Sequence, residues 1–405
     1  MLSRTADHLF WMSRYTERAE NTARMLDVNY QTALLPQSAE AAQIGWQGLL
    51  TISELLPAYQ ALHGDIKPAQ VMNFMVRDED NPSSIISCLK AARENARAVR
   101  GTLTTEAWET QNATWLEVNR MLRAGDFERD PGAFFEWVKY RSHLSRGVSV
   151  GTMLMDEALH FMRIGTFLER ADNTARLVDT KFHAMHNDFI GLTSDNDEQE
   201  YDFYHWSAVL RSVSAFEIYR RVYRDVIRPE RVAELLILRA DMPRSLHASL
   251  NEVVSNLQAV LPGADMSMSQ RKAGKLRAEL QFGHIDEILA TGLHAFLTQF
   301  LNRFLSILNG LLGFSCLGFA LCYASVPFRL FGQATGLVIF FVVHGNLGLL
   351  EFVLCRLHFN RRIFSATSAY GVIHCRLSNG VLLRRWIASA TGKNEAGTDC
   401  QRSQF

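Results

Sequence analysis

Cysteine is nearly absent from the first 303 residues, where Cys88 stands alone. One cysteine excludes a disulfide framework, and no paired cysteine spacing marks a zinc site there. Lysine is also scarce, with seven Lys against 35 Arg. That bias favours fixed, bidentate ion pairs over mobile point charges. The chain has no G-x-x-x-x-G-K loop, G-x-G-x-x-G or H-E-x-x-H, so no phosphate loop, dinucleotide fingerprint or zincin helix is read. No cofactor is expected. No convincing alternation of apolar and polar residues marks a strand. The opening Met1–His8 is charged within four residues and lacks the apolar core of a signal peptide, which predicts a cytoplasmic body.

Net charge is absent too, but only as a sum. The 42 basic and 42 acidic residues cancel over the whole chain. Beyond Arg303 there are nine basic and three acidic residues, a balance of +6. The first 303 residues carry 33 basic and 39 acidic residues, a balance of −6. A mildly acidic body argues against a nucleic-acid-binding surface. At 48% hydrophobic and 21% charged, the chain has the composition of a folded protein with a sizeable core.

What the body does have is helical periodicity. Met12, Tyr15, Ala19, Ala23 and Leu26 recur at steps of three and four, which predicts a helix over 7–33. Further helices are expected over 39–62 with a break at Pro57, from Pro82 to about Arg100, and over 105–124, 131–147, 152–187, 203–224, 229–238, 243–260 and 268–303. Pro131, Pro229 and Pro243 suit first-turn positions. Thr193–Asp202 holds five acids and reads as an exposed loop. Cys88, on a helical run without an activating base, reads as buried core.

The tail reads differently. Phe304–Phe328 contains no charged residue or His, and neither does Leu330–Val343. These lengths suit two membrane helices turning near Pro327-Phe-Arg329. Arg356, Arg361 and Arg362 would hold the far end on the cytoplasmic side. Gly332-Gln-Ala-Thr-Gly336 has the small-residue spacing of membrane helix contacts. Three regions are therefore expected: a helical body over 1–303, a transmembrane hairpin over 304–355, and a basic, poorly ordered tail over 356–405. The alternatives are a buried soluble hairpin, or a shifted frame or fusion junction that would produce the abrupt compositional change after Arg303. Cys316, Cys322, Cys355, Cys375 and Cys400 all lie beyond it.

The strongest signal is an internal repeat. Glu17-Arg-Ala-Glu-Asn-Thr-Ala-Arg-Met-Leu-Asp27 recurs as Glu169-Arg-Ala-Asp-Asn-Thr-Ala-Arg-Leu-Val-Asp179, offset by 152, with eight of eleven residues identical. His8 and His160 align at the same offset. A fainter echo is Ala92-Arg-Glu-Asn-Ala-Arg97. At 100° per residue Glu17, Asn21 and Arg24 share one stripe, as do Glu169, Asn173 and Arg176. A solvated face with i,i+4 ion pairs is the simpler account. Yet solvation does not ask for the same Glu, Asn and Arg twice, and Asn and Thr are poor helix formers. The pattern favours a buried or cleft-lining network in which two pseudo-symmetric helices face each other and Arg meets carboxylate bidentately. Such a network either fixes helix register or binds an anionic or amide-bearing ligand. The candidate binding residues are Glu17, Arg18, Asn21, Arg24 and Asp27; Arg93, Glu94, Asn95 and Arg97; and Glu169, Arg170, Asn173, Arg176 and Asp179.

The start of the chain, Leu2-Ser-Arg-Thr-Ala-Asp-His-Leu-Phe-Trp-Met-Ser-Arg-Tyr-Thr-Glu-Arg-Ala-Glu-Asn-Thr-Ala-Arg24, resembles the bacterial alpha-E family. Ser83–Arg97, Phe167–Arg176 and Arg211–Arg221, continuing to Pro229-Glu-Arg-Val-Ala-Glu234, fit it as well. The resemblance covers residues 1 to about 303 and implies an all-α, multi-helix bundle. It also implies a gene neighbourhood with a circularly permuted ATP-grasp ligase and a transglutaminase-like peptidase. Those partners, and a peptide ligand, would place the chain in peptide or amide-bond modification. No catalytic residue comes with the resemblance.

One rival reading is an enzyme in its own right, either an amide-bond enzyme using Glu17 and Glu169 or a metal-carboxylate bundle. Glu157-Ala-Leu-His160 has the Glu-x-x-His spacing of di-iron bundles. Thr5 stands at the repeat position of Glu157, however, and Asp202-Phe-Tyr-His205 is a loose substitute for a second pair. His183 and His186 are conceivable co-ligands but fit ordinary surface better.

Overall fold

The computed structural model describes residues 1–34, 39–188, 195–260 and 266–312, together with three short segments at 337–343, 350–356 and 372–373. Sixteen helices lie among the described residues, and they repeat in order and length. The first set is α1 (Ser3–Ala33), α2 (Ala39–Ile52), α3 (Leu56–His63), α4 (Pro68–Val76), α5 (Ile85–Ala98), α6 (Thr105–Ala124), α7 (Asp126–Arg129) and α8 (Pro131–Thr152). The second is α9 (Glu157–Asp188), α10 (Asp195–Ser212), α11 (Phe216–Tyr223), α12 (Pro229–Ile237), α13 (Leu246–Val260), α14 (Met268–Phe282), α15 (Ile285–Thr291) and α16 (Leu293–Leu312).

The duplication is visible in single hydrogen bonds. His8 Nδ1 lies 2.7 Å from Asn95 Oδ1, and His160 Nδ1 lies 2.8 Å from Asn256 Oδ1. Tyr59 and Tyr219 each donate to a backbone carbonyl, of Asp65 and Val226, and accept from a backbone N–H, of Lys67 and Arg228. Ser84 and Ser245 each donate back to a carbonyl six residues earlier. Glu54 and Ser214 take positive φ at matching turns, 57° and 54°. The offset widens from 152 at the His pair to 160 or 161 beyond it. The eleven-residue repeat is thus the most similar part of a duplicated eight-helix unit.

Local chemistry accounts for the boundaries. Ser84, Thr104, Asp130 and Ser267 cap α5, α6, α8 and α14 by accepting a backbone N–H, as these residue types do at helix starts. Pro57 opens α3 rather than merely breaking a longer helix. The expected 268–303 helix is three helices, interrupted near Gly283 and at Gly292, whose φ is 99°. The short α4 and α7 carry too little periodicity to be foreseen. The acidic segment read as a loop is helical from Asp195, where Asp and Glu in a first turn complement the helix dipole.

The boundary at Arg303 also moves. Leu293, Leu297, Phe300, Phe304 and Ile307 form one buried stripe that crosses it, and α16 completes the second eight-helix set. Two compact units result, Met1–Cys316 and Leu317–Phe405. In the second, the place of the expected second membrane helix is taken by antiparallel strands β1 (Leu337–Val343) and β2 (Leu350–Arg356), with β3 (Val372–Ile373) beside β2. A run rich in Val, Ile and Phe suits a strand as well as a span. No helix among the described residues is long and apolar enough to cross a membrane. Residues 313–328 of the expected first membrane helix, the turn at Pro327-Phe-Arg329, the Gly332–Gly336 motif, Arg361 and Arg362, the tail beyond Arg356 other than Val372–Ile373, and the side chains of His183 and His186 lie outside the described residues.

α1 and α9 form the centre of the helical unit. α1 packs on α5 and α8, α9 packs on α13 and α16, and the two pack on each other. A Cβ on Gly165 would come within 2.3 Å of the Phe10 carbonyl oxygen, so only glycine permits this approach. α1 is buried on nearly every side from Leu9 to Asp27. Its apolar residues contribute about 1.5–3 kcal/mol each for a large side chain. Its carboxylates are buried with them, and an unpaired buried charge costs several kcal/mol. Partners for those charges are therefore obligatory.

Candidate functional site: an arginine–carboxylate network between the repeats

The two Glu-Arg dipeptides pair reciprocally across the repeats. Arg170 donates to both oxygens of Glu17, at 2.9 and 3.1 Å. Arg18 donates to both oxygens of Glu169, at 2.6 and 3.0 Å. Glu17 and Glu169 are 1% and 4% exposed, so these are bidentate pairs shielded from water. The solvated-face account of the stripe therefore fails.

Each carboxylate collects further guanidiniums. Glu17 accepts from Arg146 at 2.7 Å and Arg244 at 3.2 Å. Glu20, fully buried, accepts from Arg24 at 2.7 and 2.9 Å, from Arg146 at 2.6 Å and from Arg244. Arg244 also donates to Asn21 Oδ1 at 3.0 Å. Glu169 accepts from Arg14 at 2.7 Å. His143 lies 2.6 Å from Arg146 and 3.2 Å from Arg24. Burial, reinforced by the neighbouring arginines and opposed by Glu20, keeps its pKa below the ordinary imidazole value.

These contacts set the protonation states. Burial alone would raise each glutamate. Arg170, Arg146 and Arg244 nevertheless hold Glu17 below the usual carboxylate range. Arg244, Arg146 and Arg24 hold Glu20 well below it, and Arg18 and Arg14 hold Glu169 at about 2. Arg244 moves the other way. Burial pushes it down to about 10 against the pull of Glu17 and Glu20, with Arg170 and Arg24 adding repulsion. The core contains six guanidiniums (Arg14, Arg18, Arg24, Arg146, Arg170, Arg244) around three carboxylates, so positive charge is in excess.

The motif arginines Arg24 and Arg176 play matching roles. Each pairs with an acid four residues earlier, Glu20 and Asp172, and each reaches the positive-φ turn of the other repeat, at Ser214 and Glu54. Asp27 and Asp179 also correspond, pairing with Lys139 and His294 at 2.8 and 2.7 Å. Asn173 is half-buried outside the network. The fainter echo is not brought in: Arg93 and Arg97 pair with Glu94 towards the surface, and Asn95 serves the His8 bond. Arg14, Glu20, His143, Arg146 and Arg244 join the network from outside the candidate residues of the repeat. Glu20 lies inside the motif, at a position where the second copy has Asp172. The others have no sequence signal beyond the arginine bias.

Beside Glu17 a cavity of about 260 Å³ opens between α1, α8 and α9. Ser13, Ser145, Arg146, Arg163, Thr166 and Arg170 are among its polar lining. The proposed metal pair is not assembled: Glu157 meets the N-terminal amine and His160 meets Asn256. His205 turns to the Lys181 carbonyl. No group of three or more potential ligands occurs among the described residues. Cys88 is buried as expected, and burial pushes its thiol up to about 12.

Fold and site together define a duplicated helical module cross-linked at its centre by paired Glu-Arg dipeptides. The chain belongs to the Alpha-E family: the family model, described as a predicted alpha-helical domain with a conserved ER motif, matches residues 1–311. The similar curated proteins include an uncharacterized protein of Mycobacterium bovis and another of Mycobacterium tuberculosis (strain CDC 1551 / Oshkosh). Each is 25% identical over 327 residues, covering 74% of this chain and 35% of the relative. The chain thus spans about a third of the length of these relatives. No solved structure matches.

Proposed function

We propose that this chain is a non-catalytic helical module that binds a peptide and works beside an ATP-grasp amide ligase and a transglutaminase-like peptidase in amide-bond modification. One observation carries the reading. Glu17, Glu20 and Glu169 are each met by two or more guanidiniums and held ionised, so none of the three has the raised pKa of a general acid. The buried thiol of Cys88 is likewise no thiolate nucleophile at neutral pH. A network of this kind holds α1 against α9 in one register, and its Arg146 and Arg170 also line the cleft. That is the equipment of a binding module. The ligase and the peptidase come from the family resemblance.

Co-purification tests it. The full chain, tagged and expressed with the neighbouring ATP-grasp ligase, is expected to retain the ligase and to raise its turnover on peptide substrates. A ligase that neither co-purifies nor changes rate would remove the partnership.

A further inference from the structure

The duplication breaks at Arg14, and a cavity lies at the corresponding place on α9. Arg14 of α1 reaches across to Glu169 with its guanidinium over the rings of Phe10 and Trp11, 5.6 and 5.1 Å from their centroids. The repeat offset places Thr166 at the corresponding position of α9, and Arg163 at that of Trp11. Thr166 is too short to reach Glu17 as Arg14 reaches Glu169. The space left over is the cavity of about 260 Å³ beside Glu17.

We propose that this cavity is a binding site for the oxyanion of a small ligand, or of the terminal group of a larger one. Arg146, Arg163 and Arg170 line it, with Ser13, Ser145 and Thr166. The one carboxylate in the wall, Glu17, is already held by Arg146, Arg170 and Arg244. Arg163 is anchored by its Nη2 to Glu252 at 2.7 Å, while its Nε is buried without a hydrogen-bond partner among the described residues. Buried donors of this kind are costly unless a ligand meets them. The network to which Arg146 and Arg170 belong has three more guanidiniums than carboxylates, and burial pushes Arg244 within it down to about 10. An incoming anion neutralises it. The walls are otherwise apolar, from Val150, Leu159, Met162 and Phe167. The volume lies just below the roughly 300–1,000 Å³ of pockets for drug-sized molecules, which limits the site to a small occupant.

The proposal deepens the peptide-binding reading by giving the cleft a ligand chemistry, and it rests on that reading only for what carries the oxyanion. A carboxylate and a phosphate share the chemistry. Isothermal titration of the full chain with N-acetyl-dialanine, its C-terminal amide and inorganic phosphate separates them. The acid or the phosphate is expected to bind saturably. The amide is expected to bind at least about tenfold more weakly than the acid, the cost of one charge-assisted hydrogen bond. Thr166→Met fills the cavity without adding charge, and Arg163→Leu removes the unmet donor at a partly exposed position. Each is expected to weaken binding by about tenfold or more. Saturation by the acid alone identifies a carboxylate site, and saturation by phosphate alone identifies a phosphate site. Failure of both probes to saturate, or equal binding by wild type and both variants, overturns the proposal. Because titration involves no ligase, its failure is separable from failure of co-purification.

Discussion

Replacing Glu169 by Gln removes one negative charge from the centre of the molecule and almost nothing else. The carboxylate is 4% exposed and receives Arg14 at 2.7 Å and Arg18 at 2.6 and 3.0 Å. Its folded-state pKa of about 2 compares with an ordinary 4.5, and at about 1.4 kcal/mol per pH unit the difference is worth about 3 kcal/mol. Breaking a buried pair by removing one partner costs about 3–5 kcal/mol in other proteins, so two routes agree. The sign follows from the lowered folded value. Below pH 4.5 the unfolded chain takes up the proton first, so this contribution is complete above that pH and is lost as pH falls towards 2. Urea unfolding followed by circular dichroism, at intervals from pH 7 to pH 3, measures both effects. Glu169→Gln is expected to lose about 3 kcal/mol at pH 7, and the gap to wild type is expected to narrow below pH 4.5. A variant within about 0.5 kcal/mol of wild type at pH 7, the range of ordinary surface changes, would refute the claim that the reciprocal pairs hold the repeats together. A gap that stays constant with pH would do the same.

Other consequences are as direct. Gly165→Ala places a methyl group against the Phe10 carbonyl and is expected to cost at least about 1–3 kcal/mol in urea unfolding, as overpacking does. An unchanged midpoint would mean the α1–α9 crossing is looser than described. Arg14→Thr copies the α9 arrangement onto α1. It leaves Glu169 with Arg18 alone and should cost about 1.5–3 kcal/mol, the worth of a hydrogen bond to a charged group. Cys88, with its thiol pushed up to about 12, should resist iodoacetamide at pH 8 in the native chain and react once urea is added. Peptide mapping by mass spectrometry reads this, and rapid native labelling would show the α5 core to be open.

Much of the helical unit is legible in the chain. The period of apolar residues and the Pro, Ser, Thr and Asp signals bracket most helices within a few residues, because these are local effects. Capping and first-turn prolines act over three or four residues. Shorter pieces such as α4 and α7 escape because one or two turns carry no period. The three-helix split of 268–303 escapes because Gly283 and Gly292 interrupt a pattern that continues on either side. The apolar residues of 337–343 suit a bilayer helix and a strand alike, and pairing with 350–356 decides between them. For the site, the repeat pointed to Glu17, Arg18, Glu169 and Arg170, but their reciprocal pairing is a matter of how two helices cross.

By itself the sequence determined that the body is helical, that a motif is used twice, and that arginine rather than lysine serves it. Those are properties of residues a few positions apart. Only the tertiary structure decided that the charged stripe is buried. It also brought in Arg146 and Arg244, 129 and 227 positions from Glu17, and left a cavity where Thr166 stands in place of a second Arg14. The reason is that a charge can enter the core only beside its partners. Which distant residues arrive there is settled by the packing of α1, α8, α9 and the turn before α13.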